Sequence, residues 1–184
     1  MPDPLHEQLE AWHDFYLVVG TGATTLTGLL FVIVSLGPHV LSRHKSTGVR
    51  AFVSPVAAHF TYVLVISALM LAPEIPRLIL AGAVGAAGLG GIVFTTWTRA
   101  HQRWRANGLS NLDWVWFVGM PYLCFASLLV SSACLAWHGD LGLFGIGATS
   151  VLLIVVGIRN AWDLALWISR QPRPGPREEK GRRR

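Results

Sequence analysis

Long uncharged apolar runs, separated by short stretches that hold nearly all the charge, set the pattern of this chain. A helix crosses about 30 Å of bilayer hydrocarbon with roughly 20 mostly apolar residues. Five stretches meet that requirement: 15–37, 51–72, 78–98, 114–137 and 141–168. The pattern therefore predicts an all-α integral membrane protein built as a bundle of five transmembrane helices. Before the first run, Leu5, Leu9, Trp12 and Tyr16 recur at helical spacing behind the pair Asp3–Pro4, which suits a helix start. Residues 1–14 thus read as a short amphipathic interfacial helix, 15–169 as the membrane domain, and 170–184 as a disordered basic tail rich in Pro, Gly and Arg.

Charge placement adds an orientation. Of the fifteen Lys and Arg, only Arg77 falls on one side of a five-span arrangement. The rest lie in the stretch with Arg43, Lys45 and Arg50, in the stretch with Arg99, Arg103 and Arg105, and from Arg159 to the end. Lys and Arg accumulate on the cytoplasmic side of membrane proteins, so the amino terminus is expected outside and the carboxyl terminus inside. Asp3, Glu7, Glu10, Asp14, Glu74 and Asp140 all fall on the outer side. No Lys or Arg precedes the first run, so it reads as a retained span rather than a cleaved signal. The expected location is a bacterial-type inner or plasma membrane, with the lipid bilayer as partner and no role in nucleic-acid binding.

With 14% charged and 52% apolar residues, little chemistry is on offer inside the spans. Cys124 and Cys134 are ten residues apart on one helix, about 15 Å, too far to bridge. The glycines of 82–91 sit in an apolar run, where they permit close helix contact instead of cradling phosphate. No nucleophile elbow, HExxH helix or nucleotide loop occurs, so neither an enzyme nor a cofactor is expected.

Small residues at four-residue spacing mark faces where membrane helices touch. Gly20, Thr24 and Gly28 form one such stripe, Gly82, Ala86 and Gly90 another, and Ser127, Ser131 and Cys134 a third, beyond a kink expected at Pro121. Thr21, Thr24 and Thr25 make one part of the first span unusually polar. They are either packing residues bonded to their own backbone or the lining of a weak-oxygen path for an ion or small solute.

Ionisable groups within spans are costly to keep in a membrane, which makes them the first candidates for functional residues. His59 lies about 13 Å past Arg50 and shares a face with Tyr62. It is either a hydrogen-bonded core residue or a proton relay or gate. Arg159 and Asp163 are spaced i, i+4 around Asn160, after eighteen uncharged residues. They read as an interfacial salt bridge or as a polar cluster at a cytoplasmic mouth, with Trp162 and Trp167 in an interfacial belt. His6, Glu10 and His13 fall on one helical face, a weak transition-metal pattern.

The functional expectation is a homo-oligomeric ion channel or small-solute permeation pathway. The alternative is a non-catalytic partner that regulates or assembles with another membrane protein. Orientation is open to direct measurement. In a background without Cys124 and Cys134, single cysteines at Asp3 or Gly139 should react with an impermeant maleimide in intact cells. Cysteines at Ser46, Gly108 or Lys180 should react only after lysis; outside labelling at Gly108 contradicts the five-span topology.

Overall fold

A computed structural model describes residues 4–36, 47–101, 115–138 and 140–169. The basic stretch 37–46, most of the stretch after His101, and the carboxyl tail lie outside the described residues. Within them the chain is helical, with no strand: α1 (Pro4–Leu36), α2 (Thr47–Met70), α3 (Arg77–His101), α4 (Met120–His138) and α5 (Asp140–Ser169). Four helical stretches are long and apolar enough to cross a membrane: Glu7–Ser35, Arg77–Ala100, Val115–Trp137 and Leu141–Leu166. The apolar part of α2, Pro55–Met70, is shorter than a full span among the described residues.

The amino-terminal segment departs from expectation. It is not a separate surface helix; α1 runs unbroken from Pro4 through the first apolar run. No Pro or Gly interrupts it between Leu5 and Val19, and its apolar side packs on the bundle. Leu5 and Tyr16 are buried, and Leu9 and Trp12 pack against the same core. The Trp12 ring meets Phe15 at 5.2 Å and Phe144 of α5 at 4.9 Å, both edge-to-face. Such pairs are worth roughly 0.5–1.5 kcal/mol beyond area burial. Tyr16 Oη donates to the Leu143 carbonyl at 3.4 Å.

Two prolines fall within the helical stretches. Pro121 has no N–H to give the preceding turn, and that turn, Val115–Gly119, is π-wound before α4 resumes α geometry. Pro55 lies within α2. Between α2 and α3 the chain reverses through Glu74, a non-glycine residue at φ 52°, in the left-handed region.

Each helix packs on its sequence neighbour, and α5 also touches α2 and α1. The fit depends on glycine. A Cβ on Gly142 would land on the backbone of Leu135 in α4, and one on Gly145 would strike Ser131. A Cβ on Gly157 would meet the Phe60 ring of α2, and one on Gly91 of α3 the Phe125 ring of α4. The expected stripe Gly82–Ala86–Gly90 is not the packing face of α3: Gly82 has open space around it, Ala86 is exposed, and only Gly90 has a neighbour, Tyr62 Oη. Glycines at 82, 85, 88, 90 and 91 cover nearly every side of α3, so spacing alone did not fix its phase. The α1 stripe is likewise split, with Gly20 against Ser67 while Thr24 and Gly28 face outward.

The main core runs through Val63, Ile66, Leu80, Val84, Leu128, Leu135, Ile146, Leu153 and Val156, none of which retains accessible surface. A second cluster, Leu30, Val56, Phe60 and Leu164, ties α1, α2 and α5 at the other end. Gly142→Ala should therefore cost about 1–3 kcal/mol by overpacking, and Gly91→Leu at least as much. Gly82→Leu should stay within about 0.5 kcal/mol of the parent. Thermal melting in one detergent checks this; equal midpoints for Gly142→Ala and Gly82→Leu contradict the packing scheme.

Candidate functional sites

Polar side chains in a membrane bundle either bond to their own helix or must be matched by a neighbour. On α1 the first route dominates. Thr24 donates to the Gly20 carbonyl at 3.0 Å, Thr25 to Thr21 at 2.9 Å, and Thr27 to Ala23 at 2.8 Å. Thr21, Thr24 and Thr25 are exposed on the outside of the bundle, so they line no path inside one copy. A hydroxyl that gives its proton to a carbonyl keeps oxygen lone pairs directed outward.

Other hydroxyls join helices. Thr149 of α5 donates to the Gly145 carbonyl, which leaves Ser127 of α4 as donor to Thr149 at 2.8 Å. Ser132 of α4 donates to the Ala81 carbonyl of α3 at 2.7 Å. Thr96 is committed to the Ile92 carbonyl, so Tyr122 donates to Thr96 at 2.9 Å, and Arg99 lies 5.9 Å from the Tyr122 ring centre.

His59 is buried at 3% exposure and stacks on Phe125 of α4, ring centres 6.3 Å apart. Tyr62, one turn on, meets the same ring at 4.9 Å. His59 Nδ1 has no hydrogen-bond partner among the described residues, and neither does the Oδ1 of Asn160, which is 2% exposed. Asn160 continues the innermost stripe of α5, after Thr149, Leu153 and Val156. Phe125 carries no sequence signal that would mark it as the histidine's neighbour.

Arg159 and Asp163 form an ion pair along α5, with side chains 35% and 29% exposed. The pair occupies the flank of the helix, while Asn160 between them points inward. The side chain of Trp167 is outside the described residues, and Trp162 is exposed.

The metal pattern at the start of α1 gains nothing from the fold. Glu10 and His13 are exposed, and His13 Nδ1 lies 3.2 Å from Asp14 Oδ1. The side chain of His6 is outside the described residues. Among the described residues no three His, Cys, Asp or Glu side chains gather into a ligand set. Cys124 and Cys134 are free thiols.

No protein-family model, curated protein or solved structure matches this chain.

The Arg159–Asp163 pair can be measured by a double-mutant cycle. Arg159→Ala and Asp163→Ala should each lower stability, with the double variant costing less than their sum. Because the pair is about one-third exposed, the coupling should be at most about 1 kcal/mol. Strictly additive losses in lipid nanodiscs contradict a coupled pair.

Proposed function

We propose that the chain spans the membrane five times, with its amino terminus outside and its basic carboxyl end in the cytoplasm of a bacterial-type inner or plasma membrane. The distribution of Lys and Arg supports this orientation. In that membrane it assembles with copies of itself around a permeation pathway for small cations or solutes, lined by α1.

One observation carries the reading. The outward face of α1 holds Thr21, Thr24, Thr25, Gly28 and Ser35 among exposed Leu17, Val18, Leu29, Phe31 and Val32. The exposed positions described on α4 and α5 within the apolar runs carry no hydroxyl; Leu123, Val130, Phe144, Val151, Val155 and Ile158 are among them. Lipid tails offer hydroxyls nothing, whereas a water-filled seam between copies does. The inside of one copy is filled by buried side chains, mostly aliphatic with a few polar groups such as His59 and Asn160, so a path between copies suits the chain better than one through it. Weak oxygen ligands bind without trapping, which conduction requires.

The second reading uses the same face. Gly22 and Gly28 have open space around them, which admits a close-packed helix from another membrane protein. The protein would then be a regulatory or assembly partner.

Mass measurement in nanodiscs separates the two. The channel reading expects a closed ring of copies, crosslinked through Thr25→Cys. It also expects the double variant Thr21→Val/Thr25→Val to keep that mass and its melting point, because neither hydroxyl bonds to another helix. Cation flux into proteoliposomes should fall about tenfold, the effect of ~1.4 kcal/mol on a barrier. A strict monomer with no flux removes the channel and leaves the partner reading.

A further inference from the structure

A buried polar atom without a partner costs roughly 1–3 kcal/mol, so each one in a small bundle calls for a physical reason. His59 Nδ1 and Asn160 Oδ1 are two such atoms, and their placement gives them a common meaning. Gly157 of α5 lies directly against the Phe60 ring of α2. Val56 and Phe60 of α2 also share a cluster with Leu164 of α5, so an earlier turn of α2 runs beside a later turn of α5 and the two helices are antiparallel. His59 precedes Phe60 by one residue, a rotation of about 100°, and Asn160 follows Gly157 by three, about 60° short of a full turn. On antiparallel helices those offsets turn both side chains to the same flank of the α2–α5 contact, at levels about 3 Å apart.

That flank is the one covered by α4. His59 stacks on Phe125, and the stripe carrying Asn160 reaches α4 through the Ser127–Thr149 hydrogen bond. Helical side chains also lean toward their own amino terminus, which on antiparallel helices tips these two toward each other. His59 is 3% and Asn160 2% exposed, and the two unpartnered atoms themselves are shut off from the surface by the surrounding side chains.

We propose that the α2–α4–α5 junction is a binding site for one small hydrogen-bond donor held between His59 Nδ1 and Asn160 Oδ1. With the ring proton on Nε2, both atoms are acceptors, so the guest must supply at least two N–H or O–H donors. Water and ammonium share that chemistry, and the Phe125 and Tyr62 rings beside the site tolerate either. The site is independent of the α1 stripe, and loss of the channel reading leaves it intact.

The test is solid-state NMR of histidine-labelled full-length protein in lipid bilayers at fixed pH. The expected result is a neutral ring protonated on Nε2, with Nδ1 in contact with exchangeable guest protons. Asn160→Leu should abolish that contact while the His59–Phe125 ring contact persists. Replacing sodium by ammonium at constant ionic strength identifies the guest: a saturable shift of Nδ1 assigns ammonium, and none assigns water. The double variant His59→Phe/Asn160→Leu should melt no lower than either single variant, because it removes both acceptors together. A ring protonated on Nδ1 and bonded directly to the Asn160 side chain, or an Nδ1 with no proton nearby, overturns the proposal.

Discussion

The Leu135 backbone occupies the space that a side chain on Gly142 would need, and the approach of α5 to its neighbours follows from that exclusion. Lipid supplies no hydrophobic drive to bring helices together, so the contacts must come from close backbone approach and from hydrogen bonds that distance would break. Gly142 and Gly145 set α4 against α5 near one end of the bundle, and the Ser127–Thr149 bond extends the same seam inward. Gly157 then seats the Phe60 ring, which fixes α2 at the depth where His59 and Asn160 turn to one flank. The polar junction is thus a by-product of where glycine lets the helices meet.

The two ends of the bundle are held differently. Toward the start of α1 the contacts are aromatic, with Trp12, Phe15, Tyr16 and Phe144 interlocked edge-to-face. Toward the end of α5 the inward positions are polar or mixed, with Asn160 beside an ion pair and Leu164 closing a small cluster. Aromatic interlocking is shape-specific and needs no water, whereas the polar end depends on satisfying each group.

The helices themselves were legible because an uncharged run long enough to span a membrane has few other uses. Which way each helix faces was not. In a soluble bundle the apolar stripe points inward, but here both lipid and core are apolar, so a threonine on α1 can lie on either side with the same sequence. Thr21, Thr24 and Thr25 look out because Leu30, Ala23, Val19 and Tyr16 occupy the inner stripe, and nothing in their residue types distinguishes those roles. The glycines of α3 misled for a related reason: with five of them around the helix, the stripe through Gly82 was as well spaced as the one through Gly88 and Gly91 that meets Phe125. Arg159 and Asp163 were easier, since charge spacing along one helix needs no neighbour to interpret. The segment ahead of the first span is amphipathic as its spacing suggests, but its apolar side covers protein, which composition cannot tell from a membrane surface.

The course of α1 is unbroken from Pro4 to Leu36. Its 33 residues extend about 50 Å, well beyond the hydrocarbon thickness. The end carrying Leu5 and Trp12 packs on the start of α5, and the outward threonines lie further along the same continuous helix. Because Val19, Ala23 and Leu30 are buried along that same helix, the Trp12 end and the threonine face are parts of one seated element, and the direction the threonines face is set by the docking of the whole length.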